Sequence, residues 1–277
     1  MSTRNVLITG CSSGIGLCLA NGLKRRGYGV IASARKPEDV AQLKSLGHDA
    51  VQLDLADSLS IRNAVNATLD ITGGKLYALI NNGAYGQPGA VEDLSRDVLR
   101  TQFETNLFGT QELTNYVLPV MRKQEEGRII QISSVLGIVC LAYRGAYNAS
   151  KFALEALSDT MRLELKDSGI HISLVEPGPI VSRFRDNAYA MYKANIDAKL
   201  SAHAEKYAAM ERRLEGKAGK MPFTLPPEAV LEKTIHALKA KRPRVRYPVT
   251  FPTYLFHFLR RILPTRWLDW IALKASD

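Results

Sequence analysis

The chain has 277 residues, of which 46% are hydrophobic and 23% charged, and its formal net charge is +10 at pH 7. These values are typical of a globular protein with one large domain or two small ones. No stretch reaches the roughly 18 consecutive apolar residues of a transmembrane helix, so we expect a cytoplasmic protein. Three cysteines without CxxC spacing and five scattered histidines predict neither a disulfide framework nor a bound metal.

Short apolar runs alternate with longer amphipathic segments along the chain. The apolar runs predict buried strands at 5–9, 29–33, 50–53, 76–81, 127–133, 171–176 and 244–247. The amphipathic segments predict helices at 14–26, 37–45, 58–72, 95–123, 146–168 and 227–240. Strand and helix taking turns indicate an α/β protein with a single doubly wound parallel sheet and helices on both faces.

A glycine-rich turn joins the first predicted strand to the first helix. It reads Thr9-Gly10-Cys11-Ser12-Ser13-Gly14-Ile15-Gly16. Glycine permits a tight turn and a close approach of the backbone to a ligand. The free N–H groups at the start of the helix favour a pyrophosphate. We therefore predict that a dinucleotide cofactor is bound by Gly10, Ser12, Ser13, Gly14, Ile15 and Gly16.

The end of the second predicted strand bears on the choice of cofactor. Arg35 and Lys36 lie there, and no carboxylate is present for the ribose 2′-hydroxyl of NAD. Two cations suit a 2′-phosphate, which predicts NADP(H), although both could be solvated surface cations that open a helix. After the third strand, Asp54 and Leu55 are candidates to meet the adenine, and Asp54 could equally cap a helix.

Tyr147 and Lys151 are spaced so that they share one helix face. We expect the ammonium to lower the phenol pKa from about 10, so that the phenol exchanges a proton with an alcohol or carbonyl near neutral pH. Tyr189 and Lys193 repeat the spacing, which shows that the pattern alone is weakly specific. The first pair follows a strand that ends in serines, where ligands of such sheets bind. The second pair lies in an irregular segment and is predicted to be an ordinary surface feature.

Taken together, the motifs resemble the short-chain dehydrogenase/reductase family over residues 5–247. The branch that the chain resembles most contains 17β-hydroxysteroid and retinol dehydrogenases and bacterial NADP-dependent aldehyde reductases. The resemblance implies a Rossmann-type domain at 1–247 that includes a lid insertion at 179–226, with a helix predicted at 197–214 between looser ends. It rests on the glycine loop, Asn81-Asn82-Gly83, Asn106, Ser134, Tyr147, Lys151 and Pro177-Gly178.

The resemblance also implies a role for each site residue. Tyr147 would be the acid in carbonyl reduction and the base in alcohol oxidation. Lys151 would lower its pKa, hold the nicotinamide ribose and join a water-mediated proton relay with Asn106. Ser134, rather than Ser133, would hydrogen-bond the substrate oxygen. Further cofactor contacts would come from Asn82, Gly83, Pro177, Gly178 and Ser182.

One motif departs from the family pattern. The usual Asn-Asn-Ala-Gly string reads Asn81-Asn82-Gly83-Ala84, which moves the glycine one position earlier. Because both exchanged residues are small, we expect a local backbone adjustment and an intact site. Ser182 replaces the common threonine, which is a mild change.

The expected substrate is hydrophobic. The segment 135–143, which the resemblance places against the substrate, is mostly apolar, and the insertion adds Phe184, Tyr189, Met191 and Tyr192. Such walls suit a hydrophobic aldehyde, ketone or alcohol. The expected function is therefore an NADP(H)-dependent oxidoreductase that interconverts such a carbonyl compound and its alcohol. The alternatives are a steroid- or retinoid-type dehydrogenase and an NADP(H)-binding regulator with little turnover. We further expect a homodimer.

Residues 248–277 form a predicted basic and helical tail of the same domain. Between Lys239 and Asp277 there are nine basic and two acidic side chains. No nucleic-acid-binding module accompanies this charge, so we expect no nucleic acid partner. The tail could lie on an anionic membrane, at its inner face, or pack on the protein body or a second subunit. Its apolar residues at helical spacing are Leu255, Phe258, Leu259, Ile262 and Leu263, followed by Trp267 and Trp270.

Overall fold

The computed structural model describes residues 4–214 and 222–276, so that 215–221 of the predicted insertion lie outside it. In this part of the chain, seven parallel strands form one sheet. They are β1 (Asn5–Ile8), β2 (Gly29–Ala34), β3 (Asp49–Gln52), β4 (Ala78–Asn81), β5 (Gly127–Ile132), β6 (Ile170–Glu176) and β7 (Arg246–Pro248). Their order is β3-β2-β1-β4-β5-β6-β7. The order reverses between β1 and β4, which opens a crevice at the carboxyl ends of these strands.

The helices cover both faces of the sheet, as the sequence predicted. Successive residues of β1 point to opposite sides: Val6 and Ile8 join one core, and Leu7 joins the other. The first core is completed by the helices at 14–24, 37–45 and 228–239, and the second by the helices at 58–72, 109–124 and 145–164. The helices in this part of the chain are α1 (Gly14–Lys24), α2 (Pro37–Ser45), α3 (Ser58–Thr72), α4 (Arg96–Phe103), α5 (Gly109–Gln124), α6 (Gly145–Glu164), α7 (Phe184–Asn195), α8 (Ala204–Leu214), α9 (Glu228–Lys239), α10 (Phe251–Ile262) and α11 (Thr265–Ser276).

The single helix predicted at 95–123 is interrupted. A π-helical turn, Glu104–Phe108, separates α4 from α5. Directly after it, a Cβ on Gly109 would lie 1.6 Å from the Leu55 carbonyl oxygen, so only glycine fits this contact.

The insertion is more regular than predicted. Its first part, expected to be loose, forms α7, while the predicted helix at 197–214 begins only with α8. Tyr192 and Tyr207 are buried between these helices, with ring centroids 5.4 Å apart. The Tyr207 hydroxyl accepts a hydrogen bond from the Ala90 N–H at 2.8 Å and also contacts Asp93. The described part of the insertion is thus packed around its own small core and hydrogen-bonded to the loop after β4.

The tail is helical, as predicted, and packs on the body of the protein. Phe256 of α10 is buried against Ile138 and Val139, and α11 adds Leu268 and Ile271 to the same cluster. No helix within residues 4–214 and 222–276 is long and apolar enough to cross a membrane.

Candidate active site

The glycine loop forms a cradle at the end of β1. Gly10 and Gly14 have positive φ angles of 69° and 55°, which favour glycine. A Cβ on Gly16 would lie 2.1 Å from the Gly10 carbonyl oxygen. The Ser13 side chain makes no capping hydrogen bond to α1, so it does not compete for the N–H groups of the first turn. The cradle therefore fits the pyrophosphate of a dinucleotide, with Ser12, Ser13 and Ile15 placed to contribute.

Asn82 and Gly83 support this loop from behind. The Asn82 side-chain amide donates to the carbonyls of Thr9 at 2.9 Å and Gly10 at 3.1 Å. The Thr9 hydroxyl accepts from the N–H of Asn82 at 2.9 Å and of Gly83 at 2.7 Å. A Cβ on Gly83 would be only 3.2 Å from the Leu55 side chain, so the glycine of the shifted motif occupies a position with little room for a side chain. Thr9 had no motif that marked it as a site residue.

The two cations after β2 have different surroundings. Lys36 precedes α2 and forms an exposed ion pair with Glu38, with 3.7 Å between the charged atoms. Arg35 acts on Tyr85, which follows β4 across the crevice: burial raises the pKa of Tyr85 to about 12, and the Arg35 charge opposes this rise. Arg35 directly follows β2 at the crevice end of the strand, whereas Lys36, which pairs with Glu38, matches the solvated alternative more closely.

Asp54 and Leu55 stabilise the turn after β3. The Asp54 carboxylate accepts from the Ala56 N–H at 2.9 Å, and the Asp54 N–H donates to Ser60 at 2.9 Å. Asp57, not Asp54, caps α3 by accepting from the Leu59 N–H. Asp54 therefore follows β3 as part of a turn and does not cap the next helix.

Tyr147 and Ser134 come together below the crevice. Ser134 follows β5, and its hydroxyl accepts from the Leu136 N–H at 3.1 Å. Tyr147 is buried in the first turn of α6. Burial raises its pKa to about 12, and a hydrogen bond with Ser134 opposes this rise. Ser133 is on the opposite side, near Glu155, which favours Ser134 as the partner of a substrate oxygen.

The expected lowering of the phenol pKa by Lys151 is not seen in this structure, because desolvation of the buried tyrosine raises that pKa. Lys151 is itself buried, its Nζ donates to the Ile132 carbonyl at 2.8 Å, and it lies 5.7 Å from the centre of the Tyr147 ring. Burial lowers the pKa of Lys151 to about 8, against a raising effect of Glu155. Tyr147 therefore holds its proton at neutral pH in this structure.

Asn106 lies in the π-helical turn and connects the loop after β4 to α6. Its side-chain amide donates to the Tyr85 carbonyl at 2.9 Å and to the Ser150 hydroxyl at 3.2 Å, and its oxygen accepts from the Tyr85 N–H. The Ser150 hydroxyl in turn donates to the Tyr147 carbonyl at 2.9 Å. Asn106 thus fixes the backbone around the tyrosine. No motif in the sequence marked Ser150 or Tyr85 as part of the site.

Residues after β6 close the remaining side of the site. The Pro177 carbonyl accepts from the Val135 N–H at 2.8 Å. A Cβ on Gly178 would be 2.2 Å from the Thr250 hydroxyl, so this glycine permits tight packing against the start of the tail. A Cβ added to Gly14 would lie 3.0 Å from the Cβ of Ser182. Ser182 therefore lies over the glycine loop.

Phe184 brings the insertion into contact with the site. Its ring meets the Tyr147 ring edge to face, with 5.3 Å between centroids. The other pair with catalytic spacing, Tyr189 and Lys193, stays outside, and Lys193 pairs with Glu211 at 2.8 Å on the surface. Tyr192, expected to border the substrate, belongs instead to the core of the insertion. Ile138 and Val139 are likewise covered by the tail.

A buried charge network, which the sequence did not reveal, lies one helical turn beyond Lys151. Arg246 of β7 pairs with Glu155 at 3.0 Å, with Asp159 at 2.6 Å and with Glu176 at 3.2 Å. Glu176 is fully buried, and its second oxygen accepts from His257 of α10 at 2.6 Å. Burial and the neighbouring Glu176 raise the pKa of Glu155 to about 7. The network links the helix of Tyr147 to the tail.

Comparison with known proteins places this geometry in a family. The family model described as short chain dehydrogenase matches residues 4–193. The chain belongs to the short-chain dehydrogenase family. A solved short-chain dehydrogenase from Streptomyces avermitilis has 27% sequence identity and a TM-score of 0.78, and the alignment covers 100% of this chain and 99% of that one. The sheet and its helices thus follow the fold of the family.

Relatives of the dehydrogenase lie in the branch that the sequence indicated. An uncharacterized oxidoreductase, YbbO, from Escherichia coli is 42% identical, covering 96% of this chain and 93% of that protein. Retinol dehydrogenase 8 from Bos taurus is 33% identical, with 99% and 86% covered. An NADPH-dependent 3-dehydrocapnine reductase from Ornithobacterium rhinotracheale is 32% identical, with 98% and 96% covered. The chain is accordingly an oxidoreductase of this family.

Proposed function

We propose that this oxidoreductase interconverts a hydrophobic aldehyde or ketone and its alcohol with NADP(H), using Tyr147 as general acid and base. One observation supports it above all: a buried tyrosine and a serine hydroxyl meet beneath a glycine cradle, and the apolar Phe184 ring covers the tyrosine. A nicotinamide dinucleotide held by the cradle supplies or accepts the hydride.

The chain's own residues account for the proton. The Ser134 hydroxyl donates a hydrogen bond to the carbonyl oxygen of the substrate and orients it beside the phenol. Tyr147, with its pKa raised by burial to about 12, is protonated at neutral pH and can donate to that oxygen as negative charge develops on it. In the reverse direction, the deprotonated form of Tyr147 accepts the proton of the alcohol, which regenerates the neutral phenol. Lys151 and Asn106 hold the surrounding backbone and, as the resemblance implies, the nicotinamide ribose and the proton path.

The cofactor preference rests on Arg35. Arg35 directly follows β2 at the crevice end of the strand, where a 2′-phosphate would be recognised, and Lys36 adds a second exposed charge that is paired with Glu38. The NADPH-dependent reductase among the relatives supports this preference. Retinol dehydrogenase 8 supports a hydrophobic substrate and keeps retinoid or steroid alcohols among the candidates.

Steady-state assays with medium-chain aldehydes test the acid. We expect Tyr147→Phe to lower kcat by about 10²- to 10⁴-fold, because proton transfer to the product oxygen is lost. Tyr189→Phe is the matched control, since it alters the tyrosine of the second pair with the same spacing and should leave kcat nearly unchanged. Full activity of Tyr147→Phe would refute the assignment.

The same assays with NADPH and NADH test the cofactor. We expect a clear preference for NADPH, and we expect Arg35→Ala to raise the KM for NADPH by about tenfold or more while the KM for NADH changes little. Lys44→Ala, which removes an exposed cation from the end of α2, is the control. A preference for NADH in the unmodified protein would overturn this part of the proposal. Tight NADPH binding without turnover on a panel that includes retinoids and steroids would favour the regulatory alternative.

A further inference from the structure

The two tail helices each have two apolar faces. The inner face packs on the body of the protein through Phe256 in α10 and through Leu268, Ile271 and Ala272 in α11. A surface helix normally needs only one such face, with polar residues on the other. The tail departs from this rule on its solvent side.

On each of the two helices the outer face is an apolar stripe. Its members recur every three or four residues along α10 and α11, so they share one side of each helix. Trp267 and Trp270 are 67% and 58% exposed, and Phe258 is 60% exposed. Large exposed apolar patches usually mark an interaction surface. We call this stripe the tail face; it comprises Phe251, Tyr254, Leu255, Phe258, Ile262, Trp267, Trp270 and Leu273.

Basic side chains lie on the tail face itself. Arg266 and Lys274 are one turn before and one turn after Trp270, and the Lys274 ammonium lies 3.8 Å from the centre of the Trp270 ring. Arg261 is one turn after Phe258. Asp269 is the one acidic residue between Phe251 and Ser276. A second copy of the same face would bring these positive charges together, whereas an anionic lipid surface would neutralise them.

We propose that the tail face docks on an anionic lipid bilayer, with the aromatic rings at the headgroup boundary and the basic residues on lipid phosphates. Tryptophan, tyrosine, leucine and arginine on one helical face are the composition of interfacial membrane helices. A helix that binds through one apolar face lies along the bilayer surface, so docking needs no membrane-spanning segment.

The two tail helices are hydrogen-bonded to the segment beside the site. Arg260 donates to the Ile138 carbonyl at 3.0 Å, and the Ala142 N–H donates to Ser276 at 3.0 Å. Docking would therefore hold the segment between Ser134 and Tyr147 close to the bilayer, where apolar substrates dissolve. This consequence rests on the proposed function, but lipid binding itself is measured without turnover, so the two can fail separately.

The chain provides its own probe, since Trp267 and Trp270 are its two tryptophans and both belong to the tail face. We expect vesicles of phosphatidylcholine with phosphatidylglycerol to shift the tryptophan emission of the full-length protein to shorter wavelength and to sediment the protein. Pure phosphatidylcholine should do so weakly, and added salt should reverse the binding.

Two variants and one control separate the contributions. Arg261→Gln/Arg266→Gln/Lys274→Gln keeps both tryptophans and should weaken partitioning to anionic vesicles by at least about tenfold. Leu255→Ser/Phe258→Ser should weaken it on all vesicles. Leu59→Ser/Leu163→Ser, at residues 61% and 66% exposed elsewhere, should bind as the unmodified protein does. Unchanged circular dichroism and NADPH binding establish that each variant is folded.

Two results would overturn the proposal. One is an unshifted emission and no sedimentation with anionic vesicles at low salt. The other is a dimer in analytical ultracentrifugation that Leu255→Ser/Phe258→Ser dissociates, together with no lipid binding, which would assign the tail face to a second copy of the chain.

Discussion

Replacing Arg246 with methionine tests whether the buried charge network stabilises the fold. The substitution keeps the length of the side chain but leaves Glu155, Asp159 and the fully buried Glu176 without their guanidinium. At about 3 Å and an effective dielectric constant of about 20, Coulomb's law gives each contact roughly 5 kcal/mol of attraction, much of it offset by desolvation. Removing one partner of a buried pair costs about 3–5 kcal/mol, and because the Arg246 and Asp159 side chains are 32% and 36% exposed, we expect the lower part of this range.

For a domain of this size, that loss corresponds to a melting temperature roughly 6 to 20 °C lower. The loss should also depend on pH. Burial already raises the pKa of Glu155 to about 7, and Arg246 opposes this rise, so its removal raises that pKa further. The folded variant then binds a proton more tightly than the unfolded chain, and its stability falls as pH rises through the folded pKa.

Thermal and urea unfolding followed by circular dichroism at about pH 5.5 and about pH 8.5 measure both effects. We expect the larger loss at the higher pH. Arg100→Met is the matched control, since Arg100 pairs with Asp97 at 3.5 Å on an exposed helix face, and it should change stability by about 1 kcal/mol or less. A loss below about 1 kcal/mol for Arg246→Met, or one that is equal at both pH values, would refute the reasoning.

Two further predictions concern the site. Gly16→Ala should abolish dinucleotide binding in calorimetry, because its Cβ would lie 2.1 Å from the Gly10 carbonyl oxygen. Gly27→Ala is the control: its Cβ meets nothing within 4 Å, so it should bind normally, and its φ of 84° should lower only the stability. Retained affinity in Gly16→Ala would contradict the cradle. Phe184→Ala should raise the KM for a long-chain aldehyde by about 2- to 12-fold, the equivalent of one edge-to-face ring contact. The KM for a short polar aldehyde should change much less. An equal change in KM for both aldehydes would show that Phe184 does not contact the apolar part of the substrate.

Local sequence patterns were sufficient for the sheet and for most helices. The strands are buried on both faces, so their apolar runs are uninterrupted and stand out from the amphipathic helices. The glycine loop was equally readable, because a positive φ and a close backbone contact both demand glycine at fixed spacing. The π-helical turn at Glu104–Phe108 was not readable, since it depends on the packing of Gly109 against Leu55.

The candidate site divides in the same way. Helical spacing pointed to Tyr147 and Lys151 from the sequence alone, because residues four apart share a helix face, and the resemblance to the family added Ser134. Their protonation could not be read, since it depends on burial: desolvation raises the pKa of Tyr147 and lowers that of Lys151. The contact of Phe184 with Tyr147 also required two distant segments to meet.

The tail shows the same division most clearly. Its sequence determined a basic helical segment with apolar residues at helical spacing. Helical spacing cannot say which apolar face is covered, because both faces of α10 and α11 carry apolar side chains. Only the tertiary structure decided that Phe256 packs inward on Ile138 while Phe258 and both tryptophans stay in solvent. The sheet body provides one partner for the tail, and the face it leaves exposed is the one that carries the positive charge.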